Sequence, residues 1–106
     1  MIRCMCIVQE DQGPAQNQAG MKRLLNDFSQ RAFGEPADIH WIEVPKTNGF
    51  TAGGPSTSSI VSLTALEPVA QDTRTELLQE LCAAWSGATG CSINEVVGII
   101  NDPQAA

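Results

Sequence analysis

Few side chains in this 106-residue sequence combine type and position in a way that could do chemistry. Arg3 can hold a carboxylate, or it can be a charge set at a strand edge. His40 is the sole histidine and shares a strand face with Asp38 and Ile42. It reads first as a structural or surface residue and second as an acid–base group. Glu43 could partner such a group or be a polar sheet residue. Lys46, directly after Pro45, can reach an anion from its loop or stay solvated, as lysines generally do. Trp41 and Phe50 could wall a small-molecule pocket, though a tryptophan at Trp41's position is more often simply core. Asn101 and Asp102, at a strand end, can orient a substrate or a water, or form a turn before Pro103.

The four cysteines do not make a disulfide frame by their spacing. Cys4 and Cys6 lie two apart on an expected strand, so their side chains point the same way. Cys82 falls on the apolar face of an expected helix, and Cys91 follows Gly90. Zinc sites usually pair their ligands at 2–4-residue spacing, and here one tight C-x-C pair stands alone. Buried reduced thiols are therefore expected, with no metal and no cofactor.

These residues must be positioned by a fold that composition already bounds. Hydrophobic residues make up 42% and charged residues 17%, as in globular chains. A chain of this size buries about two-thirds of its unfolded surface, enough for a core without staples. Twelve acidic against six basic side chains give a net charge of −6, which argues against a phosphate-tracking nucleic-acid binder. No apolar run approaches the roughly 18 residues that span a bilayer. The Met1-Ile2-Arg3-Cys4 start does not resemble a secretory signal, so a cytoplasmic location and no membrane partner are expected.

Residues 2–8 read as a strand, and Gly13-Pro14 marks a turn. Met21, Leu24, Leu25, Phe28 and Ala32 recur at helical spacing and predict a helix over 15–33, stopped by Gly34 and Pro36. Residues 38–44 predict a second strand, closed by Pro45. Lys46 to Ser58 is rich in glycine, proline and small hydroxyl residues and reads as a loop or short hairpin. A strand over 60–66 follows. Thr73-Arg74-Thr75-Glu76 fits a capping box, which would leave Arg74 solvated in the first turn of a helix ended by Gly87. Residues 93–101 close the chain as a strand apolar on both sides.

The pattern is thus strand–helix–strand twice. A shift of 53 residues places Ile7 on Ile60, Leu24-Leu25 on Leu77-Leu78, Phe28 on Leu81 and Gly34 on Gly87. Each half is a βαβ unit with parallel strands and a right-handed crossover. The expected class is α/β (α+β): one domain over 1–106, with βαβ units at 1–45 and 59–102 joined by the loop 46–58. Two helices cover only one face of four strands. An apolar second face left open would invite aggregation, so self-association is expected to bury it.

This duplicated βαβ unit resembles the tautomerase superfamily, in particular its macrophage migration inhibitory factor-like and cis-3-chloroacrylic acid dehalogenase-like members. The resemblance rests on Ile39 to Pro45, then Asn48 to Gly54 with its glycine pair, then Ser56 to Leu63. Asp72-Thr73-Arg74 with the leucine-rich helix, and Ile93 to Asp102, carry it to the end of the chain. The resemblance implies a homotrimer with sheets facing inward. It also implies a catalytic N-terminal proline whose amine moves protons. An α-amino group suits that work, because its ordinary pKa is about 7.7–8.0.

Here Ile2 takes the position of that proline. Met1 precedes it and carries the amine, and removal of a methionine ahead of a bulky isoleucine is not expected. Ser29-Gln30 stand where the dehalogenases have a His-Arg pair, and Glu67-Pro68 and Gln71 where they have carboxylate-holding arginines. Their acidic water-activating residue falls at about Asn101. The resemblance therefore implies Met1, Ile2 and Asn101 as catalytic positions. Arg3, Lys46, His40, Phe50 and Asp102 become substrate-binding positions. The implied activity is isomerisation or hydration of a small 2-oxo, enol or unsaturated carboxylic acid. The other reading is a catalytically silent trimer that binds a ligand or a protein.

Overall fold

A computed structural model describes residues 1–104. The first strand, β1 (Ile2–Gln9), alternates over its first half: Ile2, Cys4, Cys6 and Val8 are fully buried, whereas Arg3 and Met5 are exposed. That alternation fixes which face carries the core and which carries polar side chains. A short helical turn, α1 (Gly13–Gln16), leads into α2 (Gln18–Phe33). The expected continuous helix over 15–33 is thus broken at Asn17, whose side chain accepts from the Gly20 N–H at 3.3 Å and caps the longer piece. Met21, Leu25 and Phe28 face the sheet. Gly34 ends the helix in the left-handed conformation, as its position predicts.

Next come β2 (Ala37–Val44) and a small hairpin, β3 (Phe50–Thr51) with β4 (Gly54–Pro55). Ala52 and Gly53 form its two-residue turn, both at positive φ. The second half continues with β5 (Ser59–Thr64), α3 (Gln71–Thr89), a 3₁₀ turn at Ile93–Glu95 and β6 (Val96–Asn101). The last strand is therefore shorter than the expected 93–101, because Ser92 caps the 3₁₀ turn by accepting from the Asn94 N–H.

Two corrections concern α3. The capping box does not form: the helix starts at Gln71 with Ala70 at its N-cap, and the Arg74 N–H already donates to Ala70 O. Its end is not Gly87 but Gly90, which sits at φ 75° with its N–H on Ser86 O. A glycine can remain helical when nothing requires otherwise; the left-handed cap falls where the chain must turn back.

The main sheet has the order β2-β1-β5-β6. The pairs β1–β2 and β5–β6 are parallel, as two βαβ units demand, and the halves meet through antiparallel β1–β5. The class is α+β with a four-stranded mixed sheet and the helices on one face. Gly98 lets α3 close onto β6, since a Cβ there would sit 3.2 Å from Cys82 Sγ and 3.3 Å from Leu78. The core holds Trp85, Phe28, Leu81 and Leu63 between helices and sheet.

The face away from the helices is a graded surface. Strand register lines up Asp38, Arg3, Thr64 and Asn101 in a polar row across the sheet. The next row is His40, Met5, Ser62 and Ile99, and the third is Ile42, Ile7, Ile60 and Val97. Polar chemistry thus lies at the β1 N-terminal end, and apolar surface lies beyond it.

Candidate functional site

The polar row opens into a cleft of about 700 Å³ lined by Met1, Arg3, Asp38, Thr64, Asn101 and Asp102, with Ala65, Leu66, Pro103 and Gln104 completing its walls. Its position follows from β1. Ile2 is fully buried on the helix side and its N–H donates to Pro36 O at 2.9 Å. Ile2 therefore serves as an anchor in the core, and the residues on either side of it, Met1 and Arg3, meet the cleft.

The Met1 amine donates to Glu35 Oε1 at 3.3 Å, in an ion pair open to solvent. Arg3 pairs with no carboxylate among the described residues. Asp38, its register neighbour, instead approaches His40 Nε2 at 3.4 Å. Asn101 donates from Nδ2 to Ser62 Oγ at 3.3 Å, and its carbonyl accepts from the Ala65 N–H. The Ala65 contact is to the backbone carbonyl, so the side-chain oxygen of Asn101 has no hydrogen-bond partner among the described residues.

Asp102 is held differently. Its Oδ1 accepts from the Val69 N–H and from Arg74, both at 2.9 Å. The Val69 N–H above all, and then the Arg74 guanidinium, hold its carboxyl below the usual carboxylate range. Arg74 also donates to the carbonyls of Ile100 and Val69. It is thus a largely buried clamp joining the start of α3 to the end of β6, which corrects the expectation of a solvated first-turn charge. The early helix start explains the difference, because it turns Arg74 inward over the chain end.

The remaining sequence candidates lie elsewhere. His40 is one row up the open face. Lys46 and Phe50 follow the other end of β2, about 20 Å from the polar row. There the Lys46 N–H donates to Glu10 at 2.8 Å, and Phe50 is exposed. Glu43 accepts from Gln18 Nε2 at 2.6 Å and ties β2 to α2. Trp41 lies on the helix side, packed against the core. Cys4 and Cys6 sit in the core with their sulfurs 3.8 Å apart. Their mutual hydrogen bond, then burial, pushes the Cys6 thiol far up, so it stays protonated and unreactive.

Sequence reasoning missed Glu35, Thr64 and the Arg74 clamp. Glu35 could have been found: in a βαβ unit the parallel partner of Ile2 is Ala37, so the residues just before Ala37 must meet Met1. Among the described residues, no group of three or more His, Cys, Asp or Glu is placed to hold a metal. No helix among them is long and apolar enough to cross a membrane.

No family model matches the sequence, and no curated protein matches it. Solved structures do. Native Ps01740 superposes with a TM-score of 0.84 at 21% identity, over 97% of this chain and 95% of that one. A fused 4-OT, solved as a symmetric trimer, gives 0.80 at 16% over 95% and 85%. N1, a member of the cis-3-chloroacrylic acid dehalogenase family, gives 0.81 at 11% over 95% and 74%. At such identities the likeness is one of fold, and that fold is the one found in tautomerase-superfamily structures.

Proposed function

We propose that this tautomerase-superfamily fold carries an acid–base active site in the cleft at the β1 N-terminus, isomerising or hydrating a small 2-oxo, enol or unsaturated carboxylic acid. The observation that carries the reading is an arginine without a carboxylate partner in the same cleft as an α-amino group. Arg3 holds the substrate carboxylate through charge-assisted hydrogen bonds. In ketonisation the Met1 ammonium gives a proton to the enol carbon, the enol O–H proton passes to water, and the amine regains its proton from solvent. The Asn101 amide and the Thr64 hydroxyl steady the oxygen that becomes the carbonyl. Asp102 shapes the wall, held by Arg74.

The working unit in this reading is a homotrimer that buries the open sheet faces. The apolar row of Ile42, Ile7, Ile60 and Val97 and the trimeric form of the fused 4-OT support it. Lys46 and Phe50 would act on a cleft only across such an interface, whereas His40 adjoins the cleft of its own chain through Asp38. The four free cysteines suit the cytosol. A second reading, a silent trimer that binds a ligand or a protein, draws support from Glu35, which already occupies the Met1 amine.

Ketonisation of phenylenolpyruvate and of 2-hydroxymuconate, followed by ultraviolet absorbance from pH 5 to 9, separates the two. A rate above buffer that disappears on acetylating the amine is expected. No rate from well-folded oligomer would leave the binding reading.

A further inference from the structure

The charges around the cleft do more than attract an anion; they count it. Asp38 and Asp102 line the site, and Glu35 lies next to it on the Met1 amine. Glu35 is matched by the Met1 amine at 3.3 Å and Asp102 by Arg74 at 2.9 Å. Asp38 approaches His40 at 3.4 Å, with both side chains more than half exposed, and is the register neighbour of Arg3 without forming an ion pair with it. Against these, Arg3 is the one cation lining the cleft that has no carboxylate partner among the described residues. A single ligand carboxylate can therefore engage Arg3, in competition with Asp38. A second would find no cation and would lie near Asp38 or Asp102.

The rest of the lining fits a neutral remainder. Thr64 and Asn101 can hydrogen-bond an uncharged oxygen, and Leu66, 56% exposed, offers apolar surface at the mouth. The chain's net charge of −6 adds a long-range penalty that grows with ligand charge. From this arrangement we propose that the cleft selects small monocarboxylates with a neutral, apolar tail and rejects dicarboxylates, with Arg3 donating to the bound carboxylate and Asp38 as the gate against a second negative charge. The proposal rests on reading this cleft as the ligand site, and it concerns binding rather than turnover.

Sorbate and muconate test it, being six-carbon dienes that differ by one terminal carboxylate. Titrated into the full-length protein and followed by amide chemical shifts, sorbate is expected to move Arg3, Thr64 and Asn101. Muconate is expected to bind about tenfold more weakly, the cost of a second charge near a surface carboxylate. Arg3→Gln should abolish sorbate binding. Asp38→Lys, at an exposed position, should bring muconate level with sorbate, and Asp38→Asn should narrow the gap. Muconate binding as tightly as sorbate to the unmodified protein, or neither acid reaching the cleft, would overturn the proposal. Selective sorbate binding without turnover of either enol would uphold this specificity and remove the catalytic reading. Equal turnover of phenylenolpyruvate and 2-hydroxymuconate would do the reverse.

Discussion

The two ends of the central sheet are built from similar polar residues and use them differently. At the end beyond the hairpin, Gln9 is nearly buried and donates to Ser58 O at 3.3 Å, and Glu10 takes the Lys46 N–H at 2.8 Å. The Ser56 N–H closes onto Gly49 O at 2.7 Å, so this end is occupied by its own loop. At the opposite end the clamp of Arg74, Val69 and Asp102 secures the chain, while Arg3 beside it stays without an ion-pair partner among the described residues. A polar group satisfied by its own chain reads as structure. A charged group left over in a cleft costs nothing while water solvates it, and it is ready to be spent on a ligand.

The largest expected effect tests that contrast directly. Arg3→Gln should lower kcat/KM for a carboxylate substrate by about 100-fold, as loss of a charged hydrogen bond of about 1.5–3 kcal/mol implies. Arg23→Gln, on the outer surface of α2, should change it by less than about twofold; equal losses in steady-state rates would break the comparison. Arg74→Met should reduce unfolding free energy by about 2–3 kcal/mol in urea titrations. Gln9→Leu, at the hairpin end, should cost only about 1 kcal/mol by the same measurement.

A third prediction concerns pH. The Asp102 carboxyl is lowered in the folded protein, so its contribution to stability is present above the ordinary aspartate value of about 3.9. It is lost as pH falls from that value through the folded one. Urea midpoints measured from pH 7 to pH 2.5 should therefore fall less steeply at the acid end for Asp102→Asn than for the unmodified chain. The smallest effect is expected from Glu35→Gln, which breaks a solvent-exposed pair and should shift stability by no more than about 0.5–1 kcal/mol. A larger shift would show that Glu35 holds the chain start in place rather than merely neighbouring it.

Much of this architecture was legible from hydrophobic period alone. Alternation in β1 and the Met21, Leu25, Phe28 stripe of α2 name their buried faces without any structure, and Gly34 marks a true cap. Where local signals competed, the sequence misled. Thr73 to Glu76 fits a capping box, but the helix started earlier because Ala70 could serve as N-cap and Arg74 had carbonyls to reach. Gly87 resembled a terminator, yet the turn back to β6 fell at Gly90. The candidate site was legible only in fragments. Arg3, Met1, Asn101 and Asp102 converge, whereas Lys46 and Phe50 lie a strand length away within the same chain.

By itself the sequence determined the two βαβ units, their parallel pairing and the face that each element buries, because period, glycine position and crossover handedness are local or nearly local constraints. The tertiary structure decided which charges remain unspent. Antiparallel docking of β1 on β5 set Arg3 beside Thr64, and through Thr64 in line with Asn101. It also brought Arg74 to Asp102 across 28 residues. The Met1–Glu35 contact, across 34 residues, follows from the parallel pairing within one βαβ unit, whereas the contacts of Arg3 and Arg74 depend on how the elements pack, and no local pattern encodes them.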